Sequence, residues 1–161
     1  AEYMGDHFEN FFRPELEKHG YHGLYKRRTR DFLRVNPPLI DGCATFFRRE
    51  RFTFVRKYEV EFNKIAQSDN IGLILILQAK FFMGQQDSQN LVCVANTHVC
   101  LHPDLNAVKV YQVLALLKGL ERLASSADLS ILVCGDFCSV PGRYYSNLQH
   151  FDPNSQLPFD F

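Results

Sequence analysis

Two short segments hold the residue types that could do chemistry. Asn96-Thr97-His98 closes the apolar run Leu91-Val92-Cys93-Val94-Ala95, and Gly135-Asp136-Phe137-Cys138-Ser139 closes Ile131-Leu132-Val133-Cys134. Polar groups gathered at the ends of adjacent buried strands are a common way for α/β folds to build sites. Taken with Glu2, the set Asn96, His98 and Asp136 suits phosphoester hydrolysis by a metal-positioned water. Asp and Glu are hard oxygen ligands for Mg²⁺, which is usually held by one or two carboxylates plus waters and substrate phosphates. A histidine at the neighbouring strand end can donate to a phosphate oxygen or to charge building up in the transition state. The structural alternative is that Asp136 caps a turn, His98 is a satisfied surface imidazole and Glu2 is solvated. Cys138 is the misfit, because a metal-phosphate site wants an amide or carboxylate there.

Other chemistries have less behind them. Cys93, His98, Cys100 and His102 could be zinc ligands, but their spacing matches no zinc module and Cys93 falls inside a buried strand. Cys138 with His98 could be a thiol nucleophile and its base, yet no third group orients them. The basic group Lys26-Arg27-Arg28 with Arg30, and the pair Arg48-Arg49, could guide a nucleic-acid backbone. Such runs are more often a solvated face.

The elements that must position these residues read as follows. Asp6 caps a helix through Phe8, Phe11 and Phe12, Pro14 opens a further turn, and Gly20 closes it. Tyr21 to Arg28 is a strand, and Thr29 to Gly42 is a loop around Asn36-Pro37-Pro38. Cys43–Arg49 and Phe52–Glu61 look like a hairpin turning at Arg49-Glu50-Arg51. Ile71 to Phe82 is a buried strand, Gly84 to Asn90 a turn, and Leu91 to Val99 the return strand. Pro103 and Asp104 start a helix whose apolar face is Val110, Val113, Leu114, Leu117, Leu120 and Ala124, with Lys109 and Gln112 elsewhere. Ser125 to Asp128 ends it, and Ile131 to Cys134 is the last buried strand. This order predicts an α/β sandwich with mixed sheets.

Composition sets outer limits. With 161 residues, 46% hydrophobic and 22% charged, the chain suits one domain, residues 1–161, with its own core. Net charge is zero, the first 64 residues slightly basic and the rest slightly acidic, a weak lean toward an anionic substrate. Five cysteines, an odd count, and no secretory pattern point to a reducing compartment, cytoplasmic or nuclear. The longest apolar stretch is too short to span a bilayer, so no membrane partner is expected.

At these residues the chain resembles the endonuclease/exonuclease/phosphatase superfamily, nearest the poly(A)-degrading nucleases of the carbon catabolite repressor (CCR–NOT) type. The matching stretches include Asp6-His7-Phe8-Glu9-Asn10-Phe11-Phe12, Lys18-His19-Gly20-Tyr21, Asp41 to Arg49, Lys57 to Asn63, Ala95 to Val99 and Leu132 to Pro141. Asp41-Gly42-Cys43-Ala44-Thr45-Phe46-Phe47-Arg48-Arg49 is quite specific to this branch, whereas Asn96-Thr97-His98 alone is shared more widely. The resemblance implies a four-layer α/β/β/α sandwich, incomplete at the C-terminus, and Mg²⁺-dependent 3′ to 5′ removal of adenylate from mRNA tails. It implies Glu2 as the metal ligand, His98 and Asp136 as catalytic residues, and Asn96, Pro103 and Cys138 as contacts to substrate, with RNA (poly(A)) as partner. A CCR–NOT-type complex is also implied, although the leucine-rich repeats of some relatives are absent from this sequence.

The departures set a second expectation. The family has asparagine where this chain has Cys138, and a thiol offers one weak donor where an amide offers two donors and an acceptor. The family pattern also starts before Ala1 and continues past Phe161, so the chain reads as truncated at both ends. The expected alternative to an active deadenylase-like nuclease is therefore a catalytically impaired remnant that binds RNA or a partner, with very weak activity or none.

Overall fold

The structure is a computed structural model of the 161-residue chain. It describes residues 5–28, 41–63, 69–80, 90–99, 105–126 and 129–138. Its strands are β1 (Tyr21–Arg27), β2 (Gly42–Arg48), β3 (Phe52–Glu61), β4 (Ile71–Ala79), β5 (Leu91–His98) and β6 (Leu129–Asp136). Strands β1 and β2 form an antiparallel pair; β3, β4, β5 and β6 form a second sheet in that order, antiparallel except for the parallel β5–β6 pair. The long helix Asn106–Ser126 is the crossover between β5 and β6, as parallel neighbours require.

Strand β4 organises the core because its sequence is apolar on both faces. Ile71, Leu73, Leu75 and Leu77 point one way and pack with Cys43 and Phe47 of β2. Ile74 and Ile76 point the other way and pack with Cys93 and Ala95 of β5 and with Ala115, Leu116, Leu120 and Leu123 of the long helix. A strand buried on both sides reads as a continuous apolar run, as Ile71-Gly72-Leu73-Ile74-Leu75-Ile76-Leu77 does. On the outer face of β1–β2 lies the N-terminal helical segment. It runs Gly5–His7, then a π-helical stretch Phe8–Phe12, then Arg13–Lys18 with Pro14 at its start. Phe8 is fully buried, stacked on Tyr25 at 4.9 Å and tilted against Phe46 at 5.5 Å. The layers are thus helix, four-stranded sheet, two-stranded sheet, helix: the α/β/β/α order.

The structure corrects three sequence expectations. The strand expected as buried at Ile131–Cys134 is β6, which ends its sheet and is largely exposed among the described residues, with Leu132 55% exposed. Strands β2 and β3 are not a hairpin. Arg49-Glu50-Arg51 carries the chain from one sheet to the other, because β2 is paired with β1 and β3 with β4. The second apolar face of β4 decides this, since β2 must lie over it. The long helix is also rotated from its expected face. Lys109, Gln112, Ala115, Leu116, Leu120 and Leu123 are buried, whereas Leu117 is 45% exposed and Ala124 is exposed. Lys109 and Gln112 turn inward toward acceptors at the strand ends, the Cys138 carbonyl after β6 and the Asn70 side-chain oxygen before β4. The expected helix start at Pro103 and Asp104 lies outside the described residues. No described helix is long and apolar enough to cross a membrane.

Lys26, read as part of a basic run, is committed inside the sandwich. Its ammonium contacts Glu59 at 2.8 Å and Glu61 at 2.7 Å, tying β1 to β3. Arg48 packs over the Tyr21 ring and bonds its hydroxyl at 2.9 Å, while Arg49 meets Glu17 at 3.2 Å, both at the end of β1–β2 away from Arg28 and Asp41.

Candidate functional site

The two polar segments meet. His98 and Asp136 are register partners at the ends of the parallel strands β5 and β6. Val99 N–H donates to the Asp136 carbonyl at 3.1 Å and continues the ladder one step beyond the strands. Gly135 makes this approach possible. Its φ is +142°, and a Cβ there would lie 1.9 Å from the Thr97 carbonyl oxygen, closer than any side chain permits.

Asp136 then bends the chain. Its Oδ1 accepts the Cys138 backbone N–H at 2.7 Å, a side-chain turn that places Cys138 at φ 46°. That hydrogen bond is the main reason its carboxyl is held below the usual aspartate range; a contact from the Cys138 side chain adds to it, against the opposing effect of burial. The other side of the turn is clamped from the long helix. Lys109 donates its ammonium to the Cys138 carbonyl at 2.9 Å.

His98 is held from three directions. Its carbonyl accepts from the Asn70 amide at 3.0 Å, and Gln112 of the long helix donates to the Asn70 side-chain oxygen at 3.4 Å. Its Nδ1 lies 3.0 Å from Arg28 Nη2 and 3.8 Å from Asp41 Oδ2. Arg28 and Asp41 form a two-toothed pair, Nε to Oδ1 at 2.7 Å and Nη2 to Oδ2 at 2.8 Å. An arginine only donates, so in this contact Nδ1 is the acceptor and the ring N–H is Nε2. The Arg28–Asp41 pair thereby sets the His98 tautomer, because β1 ends at Arg27 and β2 begins at Gly42, directly over the end of β5.

The expected site residues divide. His98, Asp136 and Cys138 converge, each offering a ligand atom within 4.8 Å of the others. Asn96 is 4% exposed, between the two sheets, and its amide nitrogen donates to the Ala44 carbonyl at 2.9 Å, with Thr45 Oγ1 at 3.4 Å. It ties the sheets together just beneath the site. Glu2 and Pro103 lie outside the described residues. Sequence reasoning missed Asp41, Asn70 and Gln112 and gave Arg28 and Lys109 no part in the site. Lys109 and Gln112 sit at ordinary polar positions of the helix sequence, and only their burial in the structure sets them apart.

Among the described residues the donors do not suit Mg²⁺. That ion wants near-octahedral oxygen ligands. One carboxylate, with one oxygen already used by a backbone N–H, sits beside an imidazole and a thiol. A hard site would need Glu2.

Comparison with known proteins follows the same outline. No family model matches the chain. It is 52% identical over 165 residues to carbon catabolite repressor protein 4 homolog 1 of Arabidopsis thaliana, covering 87% of this chain and 27% of that protein. It is 33% identical over 162 residues to the CCR4-Not complex 3′-5′-exoribonuclease subunit Ccr4 of Candida albicans, covering 83% of this chain and 20% of that one. Among solved structures, ANGEL2, a 2′,3′-cyclic phosphatase seen with adenosine-2′,3′-vanadate, superposes with a TM-score of 0.71 at 38% identity, over 88% of this chain and 39% of that chain. The chain thus spans only a fifth to two fifths of these three proteins.

Proposed function

The chain belongs to the endonuclease/exonuclease/phosphatase superfamily, beside the carbon catabolite repressor 4 homologues and ANGEL2, and from that premise we propose that it forms part of a nuclease that removes adenylate from the 3′ end of RNA. The observation that carries the reading is the register pairing of His98 with Asp136 at two adjoining strand ends, with the His98 tautomer set by Arg28. That tautomer presents Nε2–H as a donor, the form needed to bind a phosphate oxygen and to stabilise its growing charge. Asp136, kept ionised by the Cys138 N–H, is the carboxylate able to orient an attacking water or hold a cation. A divalent metal would supply the Lewis acid of such a reaction. Mg²⁺ is proposed on Glu2 alone, and the roles of His98 and Asp136 do not depend on it. Cytoplasmic or nuclear placement and a CCR–NOT-type partner are proposed on the same likeness alone.

The second reading is opening of a terminal 2′,3′-cyclic phosphate, favoured by the likeness to ANGEL2, a 2′,3′-cyclic phosphatase. One substrate pair separates the two. Oligo(A) ending in a 3′-hydroxyl is compared with oligo(A) ending in a 2′,3′-cyclic phosphate, with divalent metal, and the products resolved by length and end group. Stepwise shortening of the hydroxyl-ended strand supports the exonuclease. Conversion of the cyclic end without shortening supports the phosphatase. Inertness toward both, by a folded chain, overturns the proposal in favour of a catalytically impaired binding module.

A further inference from the structure

The donors that fail Mg²⁺ suit a different ion. We propose that His98, Asp136 and Cys138 together bind a soft divalent transition-metal ion, with Zn²⁺ the first candidate. The three ligand atoms lie within 4.8 Å of one another. A tetrahedral zinc with Zn–S near 2.3 Å and Zn–N or Zn–O near 2.0–2.2 Å needs its ligands roughly 3.3–3.8 Å apart, so side-chain movements of roughly 1 Å close the site. Imidazole, carboxylate and thiolate suit zinc, and thiolate discriminates against Mg²⁺ and Ca²⁺.

The backbone already presents the cysteine. Its N–H is fixed by Asp136 Oδ1 at 2.7 Å and its carbonyl by Lys109 Nζ at 2.9 Å, so φ 46° is held from both sides and only the thiol rotamer is left to set. The donors come from three positions on two adjoining strand ends, His98 from β5 and Asp136 and Cys138 from the end of β6, rather than from one mobile loop. An outer partner lies close by. A ring nitrogen that ligates must give up its proton. With Nε2 as the ligand, the proton moves to Nδ1 and Nδ1–H turns from Arg28 toward Asp41 Oδ2, now 3.8 Å away. A carboxylate behind a metal-bound histidine is the usual outer partner in zinc sites. Binding releases the Cys138 thiol proton to solvent. Thiolate, carboxylate and Zn²⁺ then sum to zero charge, and the fourth position stays open to water or an anion.

Metal affinity at these three residues does not need the nuclease reading to hold. The test is Co²⁺ titration of the purified chain, followed by the sulfur-to-cobalt charge-transfer absorption in the near ultraviolet, then displacement by Zn²⁺. One equivalent of Co²⁺ should give that band, Zn²⁺ should abolish it, and Mg²⁺ in large excess should leave it. Cys138→Asn should weaken Zn²⁺ binding by at least about 100-fold, the upper end of what losing even an outer-shell partner costs. That substitution suits φ 46°, so the variant should fold as well as the parent. Asp136→Asn should weaken binding in the same sense, while Cys134→Ser, a thiol directed at the Ala95 carbonyl at 3.4 Å, should leave it within about twofold. No thiolate band, a band that survives Cys138→Asn, or displacement by Mg²⁺ would each overturn the site. Hydrolysis of oligo(A) by a chain that binds no Zn²⁺ would sink this inference and leave the nuclease standing.

Discussion

Gly135→Ala isolates the contact on which the site depends. Two costs follow from the geometry. The backbone sits at φ +142°, where an L-residue is strained by about 1–3 kcal/mol. The new Cβ would also lie 1.9 Å from the Thr97 carbonyl oxygen, so β6 must move away from β5 at the residue beside His98 and Asp136. That movement breaks the Val99 to Asp136 backbone hydrogen bond, worth about 1 kcal/mol. The sum is about 3–4 kcal/mol at the upper end of the strain range. In a chain of this length each kcal/mol shifts Tm by about 2–4 °C, so a fall of about 6–16 °C is expected. Gly20→Ala is the matched control. Gly20 has φ +78° with nothing within 4 Å of a built Cβ, so it costs only the backbone strain, about 1–2 kcal/mol. Urea unfolding of both variants measures the difference. If Gly135→Ala costs no more than Gly20→Ala, the strand ends are not in the contact described, and the site built on them fails with it.

Three further substitutions probe other contacts. Phe8→Ala should cost about 3–5 kcal/mol by denaturant unfolding, since a fully buried ring between Tyr25 and Phe46 is removed; a loss under about 1 kcal/mol would show that the N-terminal segment is not docked. Lys26→Met should cost about 1–2 kcal/mol, between the values of exposed and buried pairs. Burial pushes the Glu59 carboxyl up, but hydrogen bonds from Lys26 and Lys57 outweigh it and hold it below its ordinary 4.5. Stability from that carboxylate is therefore full above about pH 4.5 and lost as pH falls through the lower folded value, so wild type should lose Tm more steeply than Lys26→Met in this acid range. Arg28→Gln should leave folding near wild type, shift the ¹⁵N signals of His98 toward a mixture of tautomers, and lower kcat by about 10- to 100-fold; unchanged ¹⁵N signals would remove Arg28 from its positioning role.

Much of the layering was legible in the sequence. β4 announced itself as a double-faced apolar run, and the polar residues closing β5 and β6 marked the strand ends that meet. What sequence missed was partnership. The alternation of Cys43–Arg49 and Phe52–Glu61 gives strand character but not which edge each strand takes, and β4's second apolar face settled that. Periodicity also placed the long helix slightly out of rotation, because it counts only apolar residues, and Lys109 and Gln112 are buried for their hydrogen bonds. Arg28 and Asp41 lie on opposite sides of a long connection, and only the β1–β2 register brings them to His98. The left-handed backbone at Cys138 was invisible too, although a turn after Asp136 was readable from residue type.

The central claim is that His98 and Asp136 act together on a phosphoester. The most direct measurement is single-turnover cleavage of 5′-labelled oligo(A), hydroxyl-ended and cyclic-phosphate-ended, by wild type, His98→Ala and Asp136→Asn. The account predicts that each substitution lowers the rate by about 10²- to 10⁴-fold on whichever substrate wild type accepts, with folding preserved. Cleavage by both variants within about threefold of wild type would contradict it.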